Sequence, residues 1–152
     1  MQQRKLSNTA AQALFCLKML KAHGLDQISV FSVCYATVLS RILYAAPAWW
    51  GFANSADRAK LQAVLDRARR WGYYKSTAPS VEAVCEARER KLFAEILSEP
   101  SHVLHHLLPP DKTHLHDLRP RAHHRMLPDK TNSLVNKNFL TRMLYSSLTQ
   151  SH

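Results

Sequence analysis

The residues whose types and spacing point most clearly to a chemical role are arginines on one predicted helix, residues 61–72. At 100° per residue, five apolar residues fall within a sector of about 120°: Leu61, Val64, Leu65, Ala68 and Trp71. Basic side chains occupy the rest of the circumference: Arg58, Lys60, Arg67, Arg69 and Arg70, with Lys75 just beyond. Guanidinium groups bind phosphate oxygens through paired N–H donors. The pattern therefore predicts that one face packs on a core and the other contacts a polyanion.

The distribution of charge supports the same interpretation. The chain carries a formal net charge of +10. Residues 1–75 hold 11 Lys/Arg and 3 Asp/Glu, whereas residues 76–100 hold 3 and 5. Clustered positive charge raises the local potential and favours polyanionic partners. We therefore expect RNA or DNA, bound without sequence specificity, as the partner of the N-terminal half.

Histidines form a second group of candidate functional residues, because seven of the nine lie between His102 and His124. His102 and His106 are four residues apart, which would place two imidazoles on one helical face, as a metal site needs. The remaining spacings match no closed zinc pattern, and no cysteine lies within the group. We predict an exposed segment without metal, whose imidazoles gain charge below a pH of about 6.5 and then strengthen anion binding.

Catalytic signatures are absent from the sequence. It has no closely spaced aspartates for two divalent metals, no Gly-rich phosphate loop, no GxSxG and no HExxH. A cysteine hydrolase built on Cys85 beside Glu86 is an alternative, but it needs a positioned base and an oxyanion site. We expect no catalytic residue, no cofactor and no metal.

Aromatic pairs flank the arginine-rich helix and allow two interpretations. Bases stack on aromatic side chains that lie among Arg and Lys residues, but such pairs also anchor helix packing. We expect Trp49, Trp50 and Trp71 to lie in the core. For Tyr73 and Tyr74, both roles stay open.

The elements that position these residues are predicted to be helices, because the chain has only three glycines. Apolar periodicity predicts helices over residues 7–23, 27–46, 55–72 and 80–98, a short helix over 102–108, and a weaker one over 139–148. Gly24 would end the first helix and Asp26 would cap the second, which we expect to be central and surrounded. In the fourth, Val81, Cys85 and Ile96 would face inward and Glu89 would not.

This pattern predicts an all-α fold, a small bundle of four to five helices followed by an irregular basic tail. We expect a helical domain over residues 1–108. Residues 109–152 would form a His-, Arg- and Pro-containing tail with a short C-terminal helix.

Cysteine usage and hydropathy bear on location. The three cysteines are widely spaced, and no CxxC or secretory signal is present, which indicates a reducing, intracellular compartment. Residues 28–52 are apolar enough to suggest a membrane span, but Arg41 lies within them and Pro47 follows. We expect a packed helix and no membrane.

Several segments, taken in order, resemble the C-terminal part of the reverse transcriptase of non-LTR (LINE-type, jockey-like) retrotransposons. The segments are LKMLKAHGL (17–25), VLSRILYAAPAWWG (38–51), LQAVLDRARRWG (61–72), PSHVLHHLLP (100–109), LRPRAHH (118–124) and NFLTRMLY (138–145). The resemblance implies a helical, thumb-like region that grips template and product by their phosphates.

The same resemblance implies that polymerase chemistry resides elsewhere. The fingers and palm, with their Tyr-x-Asp-Asp-type metal-binding segment, have no counterpart in this sequence. We therefore expect a non-catalytic fragment of an RNA-directed DNA polymerase, with the missing palm and fingers as its ancestral partner. The alternative is an orphan fragment without retained activity that self-associates through exposed apolar surface.

Overall fold

The computed structural model describes residues 2–112 and 123–149, with side chains at 8–112 and 123–146. These residues form helices and no strand, which confirms the all-α prediction. The α-helices are α1 (Gln2–Ala22), α2 (Gln27–Cys34), α3 (Ser40–Leu43), α4 (Ala46–Trp49), α5 (Ser55–Arg70), α6 (Val81–Ser98), α7 (Ser133–Lys137) and α8 (Phe139–Thr149). A π-helical segment, Tyr35–Leu39, joins α2 to α3, and 3-10 turns span Trp50–Phe52 and His105–Leu107.

Contacts divide the chain into two compact units. Unit 1 comprises residues 1–46 and 53–86, and unit 2 comprises 47–52 and 87–152. This division differs from the expected boundary after residue 108, because α6 contributes residues to both units. Beyond residue 108, α8 lies where the weaker helix over 139–148 was predicted, and α7 is a short helix that the prediction did not include.

Local signals set the helix ends in unit 1. The Asp26 carboxylate accepts a hydrogen bond from the Ser29 N–H (2.8 Å) at the start of α2, as predicted. Asn54 caps α5 by accepting from the Asp57 N–H (2.8 Å). Gly24 (φ 95°) and Gly72 (φ 73°) adopt left-handed conformations directly after helical segments. Leu14, Leu17, Val30, Leu61 and Leu65 are among the buried residues of this unit.

The segment that begins with α2 is not surrounded on all sides, contrary to expectation. Val30, Cys34, Val38 and Ile42 are buried, but other apolar side chains of the segment, including Ile28, Tyr35 and Tyr44, are exposed. The segment also breaks before residue 46, at Ala45 (φ 50°). Pro47 then lies in the first turn of α4, where its missing N–H costs no hydrogen bond.

By length and composition, residues 27–52 satisfy the criterion for a membrane-spanning helix, with a mean hydropathy of 1.5. One third (33%) of the most apolar window is buried in the structure. Core helices of soluble proteins satisfy the same criterion. The packed, non-spanning interpretation of this segment therefore stays a prediction.

Unit 2 has a core between α6, α8 and the segment that follows α6. It contains Phe93, Ile96, Leu108, Met143 and Leu144. The Phe93 ring meets Phe139 edge-on, with 6.5 Å between the ring centroids. The C-terminal helix is thus a packed element of this unit.

Candidate nucleic-acid interface

The apolar and basic faces of α5 are separated as its sequence predicts. Leu61, Val64, Leu65 and Ala68 are buried. Arg67 and Arg70 are exposed. Among the described residues, no carboxylate lies within 4.0 Å of either guanidinium group. Both arginines are therefore able to contact an anion from solvent.

Two lysines of the predicted site are also exposed. The Lys60 ammonium lies 3.9 Å from the Asp57 carboxylate, a separation that gives a weak surface pair. The Lys75 ammonium lies 5.9 Å from the centroid of the Phe31 ring, which is within cation–π range. Neither contact removes the lysine from solvent, so both add to the positive surface.

Arg69 makes its contacts within unit 1, unlike Arg67 and Arg70. Its guanidinium pairs with Asp66 (2.8 Å) and donates to the carbonyls of Ala78 (2.7 Å) and Pro79 (2.9 Å). It also lies 5.5 Å from the centroid of the Tyr74 ring. The side chain is only 22% exposed. Arg69 therefore holds the 73–80 loop against α5, and we leave it out of the phosphate-binding set proposed below.

Arg58 is also engaged within unit 1. Its guanidinium pairs with the Glu82 carboxylate at 3.2 Å, which connects the first part of α5 to the first turn of α6. The pair lies near the surface, and Arg58 is half-buried. Arg58 therefore connects α5 to α6, and its place in the phosphate-binding set stays a prediction.

The aromatic residues separate into packed and exposed members. Trp50 is buried, as expected, and contacts the half-buried Trp49 edge-on at 5.7 Å between centroids. Trp71 is 40% exposed, so the prediction of a core position was wrong for this residue. Helix geometry explains the outcome, because Trp71 lies at the edge of the apolar stripe, where α5 ends.

The structure favours packing over base stacking for the two tyrosines. Tyr73 is buried, and Trp71 contacts it edge-on at 5.8 Å between centroids. The half-buried Tyr74 donates its hydroxyl to the Pro79 carbonyl at 3.4 Å. Burial raises the pKa of Tyr74, with the Arg69 charge acting in the opposite direction.

One basic residue near the site was not among the predicted set. The Lys21 ammonium lies 5.5 Å from the centroid of the Tyr73 ring and donates to the Gln27 side chain (3.0 Å). The Gln27 amide in turn donates to the Gly72 carbonyl (2.6 Å). Lys21 thus joins the basic surface at the end of α5. Periodicity within α1 gives no sign of a neighbour fifty residues away.

Four of the six histidines that the structure describes form hydrogen bonds with backbone groups: His23, His102, His105 and His123. His123 is buried: its Nδ1 accepts from the Arg125 N–H (3.1 Å), so Nε2 donates to the Leu144 carbonyl (3.0 Å). His105 Nδ1 contacts the Ile96 carbonyl at 2.7 Å. The exposed-segment prediction was therefore wrong for His123, because it packs against α8. His114 and His116 lie outside the described residues.

The structure also locates the residues considered for a cysteine hydrolase and for a metal site. Cys85, the nucleophile of the hydrolase alternative, is buried in α6. Within residues 2–112 and 123–149, no group of three or more His, Cys, Asp or Glu residues is arranged to hold a metal ion.

Comparison with known proteins adds no relative. Neither the family models, nor the curated proteins, nor the solved structures contain a match to this chain. The resemblance to non-LTR reverse transcriptases therefore stays a prediction that rests on the sequence segments given above.

Proposed function

We propose that unit 1 binds RNA or DNA through its phosphates, without sequence specificity. The observation that carries the proposal is the exposure of Arg67 and Arg70 on the face of α5 that lies away from its buried stripe. Lys60, Lys75 and Lys21 extend this positive surface. Throughout, we use the name α5 basic face for Arg67, Arg70, Lys60, Lys75 and Lys21.

Such binding depends on salt, because each neutralised phosphate releases condensed counterions. If four phosphates are engaged, affinity falls about 50- to 150-fold between 50 and 200 mM salt. Arginine and lysine contacts to phosphate carry no base information, so oligonucleotides of different sequence bind with similar affinity.

The test is fluorescence anisotropy with labelled RNA and DNA oligonucleotides at both salt concentrations. Arg67→Glu/Arg70→Glu removes binding, whereas Arg88→Glu/Lys91→Glu keeps it within about threefold, since those residues lie outside the α5 basic face. The control makes the same charge change at the same three-residue spacing on the exposed surface of α6. Absence of binding by the unmodified chain at low salt contradicts the proposal, as does equal loss in both variants.

We further propose that the chain is a non-catalytic fragment of a non-LTR retrotransposon polymerase, located inside the cell. The support is the collinear series of segments that resembles the region behind the palm. In the intact enzyme, this region would hold template and product nucleic acid for the palm and fingers through contacts to phosphates. A purified chain that incorporates deoxynucleotides on a primed RNA template would overturn this assignment. An in-frame palm-coding remnant upstream in the genome would support it.

Self-association is a second candidate, favoured by one observation on α1. Phe15, Met19 and Leu20 are exposed apolar side chains that recur on neighbouring turns of this helix. Sedimentation velocity over a range of protein concentrations tests it. A monomer at every concentration argues against it, whereas assembly that Phe15→Glu/Met19→Glu abolishes supports it.

A further inference from the structure

The Trp71 ring lies at the end of α5, where neighbouring groups hold it and solvent reaches it. Its backbone N–H donates to the Arg67 carbonyl (3.1 Å), which ties it to the last turn of the helix. Its indole rests edge-on against the buried Tyr73, at 5.8 Å between centroids. The residue nevertheless keeps 40% of its surface exposed. A held aromatic ring loses little conformational entropy when a ligand stacks on it.

Two cations share the side of α5 on which this ring lies. At 100° per residue, Lys60, Arg67 and Trp71 lie within about 40° of one another on α5. The Lys21 ammonium lies 5.5 Å from the centroid of Tyr73, the ring that Trp71 contacts. A strand whose phosphates follow Lys60 and Arg67 along the helix would therefore carry a base past Trp71.

The aspartates of unit 1 each have a partner, and that of Asp57 is Lys60 of the α5 basic face, at 3.9 Å. Asp66 is paired with Arg69 (2.8 Å) and accepts from Gln62 (2.8 Å). Asp26 caps α2, where it accepts from the N–H and the hydroxyl of Ser29. These engagements reduce the repulsion that a phosphate strand would meet.

We propose that Trp71 stacks on an unpaired base, so that the α5 basic face selects single-stranded over duplex nucleic acid. This inference rests on the proposed function and specifies its ligand. Every base presents a π-face, so stacking tolerates any sequence, whereas in a duplex each base is already stacked between its neighbours. The arrangement joins a cationic track to an aromatic platform, as in proteins that bind single strands.

The test compares three probes of equal length and charge per strand: a single-stranded oligonucleotide, the same backbone without bases, and the duplex. Trp71→Ala is expected to weaken single-strand binding about 5- to 100-fold and to leave abasic binding within about twofold. Tyr44→Ala is the matched control, because Tyr44 is an aromatic residue that is 77% exposed in the same unit and lies outside the α5 basic face. Its single-strand affinity should equal that of the unmodified chain.

A second readout covers the case in which Trp71→Ala does not fold. Stacking quenches indole fluorescence, so single-stranded oligonucleotide should quench the unmodified chain. In Trp71→Phe, which retains only Trp49 and Trp50, the quenching should be lost. Quenching that persists in Trp71→Phe overturns the inference.

The possible results separate the two proposals. If the abasic and base-containing strands bind equally, and Arg67→Glu/Arg70→Glu removes both, the stacking inference fails and the proposed function stands. If no probe binds at low salt, both fail. A preference for the single strand that depends on Trp71 supports both.

Discussion

Arg142 on α8 makes a bidentate ion pair with Glu89 on α6, fifty-three residues earlier in the chain. Arg142 Nη1 donates to Glu89 Oε2 at 3.0 Å, and Nη2 donates to Oε1. The Glu89 side chain is 3% exposed, and Arg142 Nε also donates to the Lys137 carbonyl (3.2 Å). One guanidinium group therefore connects α6, α7 and α8 of unit 2. The expectation that Glu89 faces away from the core was wrong.

Removal of the Glu89 carboxylate should destabilise the protein strongly. Glu89→Ala leaves the Arg142 guanidinium without its buried counter-charge, which costs about 3 kcal/mol of unfolding free energy. Glu95→Ala is the control, because the exposed Lys91–Glu95 pair on the same helix (3.9 Å) contributes under about 0.5 kcal/mol. Urea unfolding followed by circular dichroism measures both. Equal midpoints for the two variants would show that the Arg142–Glu89 pair contributes no more than a surface contact.

Gly51 should tolerate no side chain, because Arg142 and the Lys137 carbonyl leave no room for one. A Cβ at Gly51 would lie closer than 3.0 Å to the Lys137 oxygen and to the Arg142 guanidinium. We expect Gly51→Ala to lower the unfolding free energy by about 1–3 kcal/mol. Because the clash involves Arg142, the cost should shrink in an Arg142→Ala background, as a double-mutant cycle in urea would measure. Independent, additive effects would contradict this account.

Local sequence patterns predicted much of the fold, but they did not predict which residues far apart in the chain contact each other. The Asp26 cap, the Gly24 terminus and the buried stripe of α5 follow from residues within a few positions of one another. The roles of Arg69 and Lys21 depend on where a loop and another helix lie. Residue spacing shows that an arginine lies outside the apolar stripe, but it does not show whether the side chain contacts a backbone carbonyl or solvent. Arg67 and Arg69 were therefore equivalent in the sequence and differ in the structure.

Acid should remove the contribution of Asp26 to stability. Hydrogen bonds from the Ser29 hydroxyl and N–H lower the pKa of Asp26 below its usual 3.8. The stabilisation is present above the unfolded-state pKa and is lost as the pH falls through the lower, folded-state pKa. Asp26→Ala should reduce the melting temperature at pH 7, and the difference should shrink below about pH 3.8. Asp129→Ala is the exposed control. A difference that is constant from pH 7 to pH 2.5 would exclude an ionised cap.

The three cysteines should react at very different rates. Cys16 is exposed, whereas Cys34 and Cys85 are buried. Burial raises the pKa of the Cys34 thiol to about 11, so only about one molecule in a thousand carries the thiolate at pH 8. A thiol reagent at pH 8 should modify one cysteine rapidly, and peptide mapping should identify it as Cys16. In urea all three should react. Rapid native modification of Cys34 would contradict the packing of α2.

Replacement of Arg69 should separate its structural role from phosphate binding. Arg69→Ala removes the donor to the Ala78 and Pro79 carbonyls, and we expect a loss of about 1–3 kcal/mol in urea unfolding. Arg67→Ala removes the same charge from an exposed position and should change stability by less than about 0.5 kcal/mol. In anisotropy titrations well below the melting temperature, Arg67→Ala should weaken oligonucleotide binding more than Arg69→Ala does. The reverse order would mean that Arg69 exchanges its internal partners for phosphate, and that the α5 basic face has been assigned to the wrong arginine.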